Sequence, residues 1–130
     1  MINSIKIIRP DDWHVHLREG NMLEAVTRYS SRASHRSIVM PNLEIPITTS
    51  QQARDYKEMI LSVSKGNSFL PLVPCYLTET LNLVDFKIAL EKNIFIGAKL
   101  YPTNATTNSS FGITKIENIF PMLEILENLN

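Results

Sequence analysis

The sequence has little of several features that would point to a special environment or partner. Cysteine occurs once, at Cys75, so no disulfide can form within the chain, which is typical of a reducing compartment. Lysine plus arginine and aspartate plus glutamate number 13 each, so no basic field is available to hold nucleic acid. No apolar run approaches the roughly 20 residues of a membrane-spanning helix, and residues 1–10 lack the apolar core of a signal peptide. We therefore expect a cytoplasmic protein that binds neither nucleic acid nor membranes.

Short apolar runs alternate with amphipathic stretches along the chain. An apolar run at Ser4–Arg9 leads into the first predicted strand. Strands are predicted at 13–17, 36–41, 68–77 and 94–101. Two prolines, Pro71 and Pro74, weaken the middle of the third strand because proline cannot donate to a sheet.

Helices are predicted between these strands. The first starts at a capping-box-like pair, Asn21 and Glu24, and the second at the N-cap candidates 48–50. The third runs over 83–92. The last follows a capping box formed by Thr114 and Glu117, and Pro121 should kink it.

Four strand–helix units in 130 residues predict an α/β fold with a parallel sheet and helical crossovers. An open doubly wound sheet and half of a (β/α)8 TIM barrel both fit this pattern. Doubling the count gives about 250 residues, an ordinary barrel length. We favour the half barrel, with residues 1–130 forming the N-terminal half of one truncated barrel domain.

The tripeptide His14-Val15-His16 is the first candidate site. Residues two apart on a strand project from one face, so both imidazoles should point to one spot and could share a divalent metal. Arg18 would join them if the strand geometry persists. Two surface or core histidines without a ligand remain the alternative.

Three further positions lie where barrel enzymes place their chemistry, at the carboxyl ends of strands. Lys99 ends the apolar fourth strand, and it is either a site residue or a lysine that extends to the rim. Asn42 follows the second strand, where capping a turn is the favoured role. Thr106 and Thr107 lie in the polar loop 102–112, which is either a substrate lid or a surface loop without a role.

Taken together, three segments resemble the bacterial single-domain dihydroorotases of the amidohydrolase superfamily. The matching segments are RPDDWHVHLR at 9–18, IVMPNL at 38–43, and AKLYP at 98–102 with NATTNSS at 104–110. The similarity covers essentially the whole chain, and three motifs in series are far more specific than two histidines alone.

The resemblance implies a metal-dependent hydrolase barrel, of which the chain holds about the first four units, with two Zn2+ ions per full-length subunit. His14, His16 and Lys99, the last as N6-carboxylysine, would bind metal. Arg18, Asn42, Thr106 and Thr107 would bind the substrate. The implied reaction is the reversible hydrolysis of (S)-dihydroorotate to N-carbamoyl-L-aspartate in pyrimidine biosynthesis, and the implied assembly of the full-length protein is a homodimer.

The chain departs from the family pattern in what it lacks. Two further metal-binding histidines and the proton-shuttling aspartate have no counterpart in these 130 residues, so no catalytic residue is expected within them. We expect residues 1–130 to be inactive alone. A sister cyclic amidohydrolase such as a hydantoinase, or a non-catalytic barrel fragment that associates with another chain, are the alternatives.

Overall fold

The computed structural model describes residues 4–64, 66 and 68–129. Residues 1–3, 65, 67 and 130, which the predicted domain includes, lie outside the described part. The strands are β1 (Asp12–Val15), β2 (Arg36–Val39), β3 (Leu70–Leu72), β4 (Cys75–Tyr76) and β5 (Ala98–Lys99). The helices are α1 (Gly20–Ala33), α2 (Ser50–Val63), α3 (Leu83–Glu91) and α4 (Phe120–Asn128), with a short 3-10 helix (Ile116–Ile119) before α4.

All strand pairs are parallel, as the alternating pattern predicted. One sheet has the order β1-β2-β3, and β4 pairs with β5 in a second sheet. The predicted third strand is divided between the two sheets, with Pro74 at the division. Backbone hydrogen bonds continue across it, from Ile96 N to Val73 O at 3.2 Å and from Cys75 N to Gly97 O at 2.9 Å. The chain segment 70–76 therefore joins both sheets, and the carboxyl ends of all strands face one edge.

The helices bury one face each against this sheet layer. In α2 the buried side chains include Ala53, Tyr56 and Ile60, at the i, i+3, i+7 spacing of an apolar helix face. The capping box of α2 uses Thr49 and Gln52, so the predicted N-cap region is confirmed. None of the described helices combines the length and apolarity needed to cross a membrane.

Three local predictions are wrong. Helix α1 starts at Gly20 without a side-chain cap, so Asn21 and Glu24 form no capping box. Thr114 bonds instead to Glu79, and the 3-10 helix has no cap from its own side chains. Pro121 lies in the first turn of α4, where its missing N–H is tolerated, and it starts the helix rather than kinking it.

The predicted strands are also longer than the observed ones. The run 4–9 is not a strand, and its isoleucines are exposed, Ile8 at 95%. The fourth strand is regular only over Ala98–Lys99. Apolar composition marked where these strands lie, whereas strand length depends on which neighbours pair with them.

Candidate metal and substrate site

The two histidines lie together at the carboxyl end of β1. His14 is in the strand, and His16 follows its last residue. Their Nε2 atoms are 3.3 Å apart and their ring centroids 5.2 Å. The Asp12 carboxylate accepts a 3.0 Å hydrogen bond from the His14 backbone N–H, which holds the strand end. The expected convergence of the imidazoles on one spot is therefore observed, while a metal-binding role stays a prediction.

His16 sits in an electropositive, partly buried position. Burial lowers the pKa of His16, and the charges of Arg18, His14 and Lys99 lower it further. Hydrogen bonding with the side chain of Asn42 acts in the opposite direction. A neutral imidazole is the form that can donate a lone pair to a metal, so the environment favours the ligating form.

Lys99 approaches this pair from the other sheet. It ends β5 and lines, together with His14, a cleft of about 270 Å3. Its Nζ lies 5.7 Å from the centroid of the Tyr101 ring, which stacks on Tyr76 at a centroid distance of 4.8 Å. In the described part of the chain no salt bridge involves Lys99. The neighbour of the amine in the described residues is thus an aromatic face and not a salt-bridging carboxylate.

Arg18 reaches the site by a different route from the one predicted. The strand ends at Val15, and Arg18 has a left-handed backbone with φ of 60°, so strand alternation does not continue to it. The hydroxyl of Tyr56 donates to Arg18 O at 2.9 Å and supports this turn. The guanidinium Nη1 donates to Asn42 O at 3.2 Å.

Asn42 connects the end of β2 to the loop 102–112. Its side chain is 1% exposed, and Nδ2 donates to Thr107 O at 2.9 Å. Its backbone carbonyl accepts from Asn108 Nδ2 at 3.2 Å as well as from Arg18. The prediction that Asn42 caps a turn is wrong, because its side-chain amide hydrogen-bonds to Thr107, which is 65 residues away in the sequence.

The loop 102–112 is organised by its own hydrogen bonds. Thr106 N donates to Ser109 Oγ at 2.9 Å, and Ser109 Oγ donates to Thr106 O at 2.6 Å. The side chains of Thr106 and Thr107 are exposed. Of the two predicted threonines, only the backbone of Thr107 meets another site residue.

Sequence reasoning missed two residues that shape the site, Tyr56 and Asn108. In the sequence, Tyr56 is one position of an apolar helix face, and Asn108 is one of several polar residues in a loop. No local signal identifies either contact, because both depend on segments more than 35 residues away.

Two solved structures share the fold of this chain. A dihydroorotase from Campylobacter jejuni matches with a TM-score of 0.85 and 34% identity over 94% of this chain and 36% of its own. A dihydroorotase from Saccharomyces cerevisiae, in complex with 5-fluoroorotic acid, matches with a TM-score of 0.83 and 31% identity over 93% of this chain and 34% of its own. The chain therefore has the fold of one part of these dihydroorotases.

The curated relatives that match this chain in sequence are also dihydroorotases. The dihydroorotase of Salmonella arizonae is 52% identical over 126 residues, which are 96% of this chain and 36% of the relative, and that of Salmonella paratyphi B is 51% identical over the same share. The chain thus spans about a third of the length of the curated relatives it matches. No protein-family model matches the chain. The resemblance to dihydroorotases predicted from the three motifs is confirmed.

Proposed function

We propose that this chain is part of a dihydroorotase, a zinc-dependent enzyme that reversibly hydrolyses (S)-dihydroorotate to N-carbamoyl-L-aspartate in pyrimidine biosynthesis. The observation that carries the proposal is the contact of His14 with His16 together with the cleft that His14 shares with Lys99, in a chain 52% identical to a dihydroorotase over 126 residues. On this proposal residues 1–130 supply the first four units of a (β/α)8 barrel domain. The parallel strand order and the likeness to solved dihydroorotases support that architecture.

The donor set fits a zinc ion in part. Two nitrogen ligands at about 2.0–2.1 Å from a tetrahedral zinc stand about 3.3 Å apart, and the two Nε2 atoms are 3.3 Å apart here. Among the described residues no group of three or more His, Cys, Asp or Glu side chains gathers around a common point. A further ligand within these residues must therefore come from another residue type, and Lys99 is the candidate.

Lys99 becomes a suitable ligand through carboxylation to N6-carboxylysine. Carbamate formation would replace the cationic amine with an anion carrying two oxygens, which suits coordination of a metal cation. On this proposal His14, His16 and the modified Lys99 hold metal, two Zn2+ ions being bound per full-length subunit. Bound zinc would supply Lewis-acid polarisation of a carbonyl and activation of water.

The substrate carboxylate would be bound by Arg18 and Asn42. A guanidinium recognises a carboxylate through charge-assisted hydrogen bonds, and an amide N–H adds a neutral donor. Thr106 and Thr107 would contact the substrate from the loop 102–112, which Asn42 already joins. The remaining metal-binding histidines and the proton-shuttling aspartate would lie outside residues 1–130, which leaves these residues inactive alone.

The remaining elements of the proposal concern partners and location. The substrate is a small molecule, and neither nucleic acid nor a membrane takes part. The full-length protein acts in the cytoplasm as a homodimer. These statements are supported by the balanced charge and by the likeness to dihydroorotases.

Turnover of the complete reading frame that encodes this chain tests the proposal. We expect zinc-dependent cyclisation of N-carbamoyl-L-aspartate, lost in His14→Ala, His16→Ala and Lys99→Ala and retained in Lys92→Ala, which removes an exposed lysine that does not line the cleft. Hydrolysis of unsubstituted hydantoin by the wild type, with no turnover of dihydroorotate, would instead identify a hydantoinase, whose substrate needs no carboxylate partner at Arg18. Absence of both activities in a folded, zinc-supplied protein would refute the proposal.

A further inference from the structure

Asn108 lies between the carboxyl ends of the two sheets. Its side-chain Nδ2 donates to the backbone carbonyl of Asn42, which follows β2, at 3.2 Å. The hydroxyl of Tyr76, in β4, donates to the backbone carbonyl of Asn108 at 3.4 Å. The Asn42 side chain donates in the opposite direction, to Thr107 O at 2.9 Å. One loop residue therefore contacts both sheets, and two hydrogen bonds join it and its neighbour to the end of β2.

The Asn42 carbonyl accepts a second hydrogen bond, from Arg18. Arg18 Nη1 donates to it at 3.2 Å. A carbonyl oxygen has two lone pairs, so the Asn108 amide and the Arg18 guanidinium together use its full accepting capacity. A guanidinium carries five N–H donors, and the bond to Asn42 leaves others to bind a ligand.

The backbone at Asn108 does not by itself require asparagine. Its φ of 53° lies in the left-handed region, which glycine adopts more easily. Asn104, in the same loop, has nearly the same φ of 57°. Among the described residues the side chain of Asn104 takes part in no hydrogen bond. The amide bond to Asn42 is what distinguishes Asn108, and Asn104 is a matched comparison.

We propose that Asn108 is a positioning residue that orients the Arg18 guanidinium through the Asn42 carbonyl, ready to bind a carboxylate. The inference rests on the proposed function, in which Arg18 binds the substrate carboxylate. A side chain that is already held loses less conformational freedom when its ligand binds. Because this carboxylate does not react, the gain should be equal in the substrate complex and in the transition state, which lowers KM and leaves kcat unchanged.

Steady-state kinetics of the protein encoded by the complete reading frame tests this role. Asn108→Gly permits the left-handed backbone and removes the amide. We expect KM for (S)-dihydroorotate to rise about 3–10-fold, the size of one net hydrogen bond, while kcat stays within about twofold. Asn104→Gly should change neither constant. In an Arg18→Ala background Asn108→Gly should change KM by less than about twofold, because Asn108 acts through Arg18.

An unchanged KM in Asn108→Gly, a fall in kcat alone, or a full KM effect in the Arg18→Ala background overturns the inference. If Asn108→Gly does not fold, Asn108→Asp decides by the same comparison, because aspartate tolerates this backbone but has no amide donor.

A second readout does not depend on turnover. Rotation about the Arg18 Nε–Cζ bond, measured by NMR exchange of the 15N-labelled guanidinium, is slowed when Nη1 is held by a hydrogen bond. We expect faster rotation in Asn108→Gly than in the wild type and in Asn104→Gly, and equal rates overturn the inference. If the wild type does not turn over dihydroorotate, the proposed function fails, and this measurement still decides whether Asn108 holds Arg18.

Discussion

At the scale of the residue, a single hydrogen bond from the buried Tyr56 supports the turn at Arg18. Arg18 has a left-handed backbone, a conformation that is uncommon for residues other than glycine. The Tyr56 hydroxyl, on a side chain that is 1% exposed, satisfies the carbonyl of Arg18. The strained turn that presents the guanidinium is therefore supported from helix α2.

Removing this hydroxyl should weaken the fold measurably. Tyr56→Phe leaves Arg18 O without its donor, and we expect the free energy of unfolding in urea to fall by about 1–2 kcal/mol. Tyr29→Phe, at a tyrosine that is 75% exposed, is the matched control and should change stability by less than about 0.5 kcal/mol. Equal effects of the two substitutions would contradict the supporting role of Tyr56.

Gly112 is required by a close approach of two backbone segments. A Cβ at this position would lie 2.4 Å from Tyr101 O and 2.9 Å from Thr103 N. Neither atom can move without breaking the contacts between 101–103 and 112–113, where Ile113 N donates to Tyr101 O at 2.7 Å.

We accordingly expect Gly112→Ala to destabilise the base of the loop 102–112, with a loss of about 1–3 kcal/mol typical of overpacking. Faster amide hydrogen exchange at Thr103 and Ile113 should accompany the loss. Ser110→Ala, at an exposed position of the same loop, serves as the comparison. Wild-type exchange rates in Gly112→Ala would show that the loop base can absorb the methyl group.

At the scale of the element, the start of the last helical segment depends on a carboxylate from another part of the chain. Glu79 accepts hydrogen bonds from Thr114 Oγ1 at 2.6 Å, Thr114 N at 2.7 Å and Lys115 N at 3.4 Å. These bonds, with one from Asn118, lower the pKa of Glu79 to about 2. The carboxylate thus caps the segment 116–128 from outside.

This arrangement predicts a pH-dependent stability. Because the folded pKa of Glu79 lies below its ordinary value of 4.5, its contribution is complete above about pH 4.5 and is lost as the pH falls toward 2. Thermal unfolding should show a steeper acid decline for the wild type than for Glu79→Gln, with the two curves converging near pH 2. Glu58→Gln, at an exposed glutamate of α2, should keep the wild-type slope, and parallel curves for the wild type and Glu79→Gln would disprove this capping role.

At the scale of the whole molecule, the sheets end in unpaired strands. Within the described residues β1 pairs only with β2, and β5 pairs only with β4. The segment 4–9 adds exposed apolar surface, with Ile5, Ile7 and Ile8 at 81%, 78% and 95% exposure. Unpaired strand edges beside exposed isoleucines favour association with another chain.

Residues 1–130 expressed alone should therefore self-associate in a concentration-dependent way. Light scattering coupled to size exclusion should give a mass above the 14.8 kDa of one chain, and the double substitution Ile7→Lys with Ile8→Lys should reduce it. Val84→Lys, at a position of α3 that is 70% exposed, should leave the mass unchanged. A monomer at all concentrations would argue that these surfaces do not associate.

Much of this molecule followed from local patterns in the sequence. The order of strands and helices came from hydrophobic periodicity, and the cap at Thr49 from residues next to the helix it starts. The pair His14 and His16 was visible because strand alternation is a local property. The three motifs carried the resemblance to dihydroorotases because their residues are contiguous.

Tertiary structure alone decided the contacts that complete the site. Asn42 meets Thr107 across 65 residues, and Glu79 caps Thr114 across 35. Arg18 reaches the site through a left-handed turn that no alternation predicts, and one predicted strand serves two sheets. Such contacts depend on how segments that are distant in the sequence pack together. The pattern of apolar and polar residues along the chain does not specify which donor will bond to which buried acceptor.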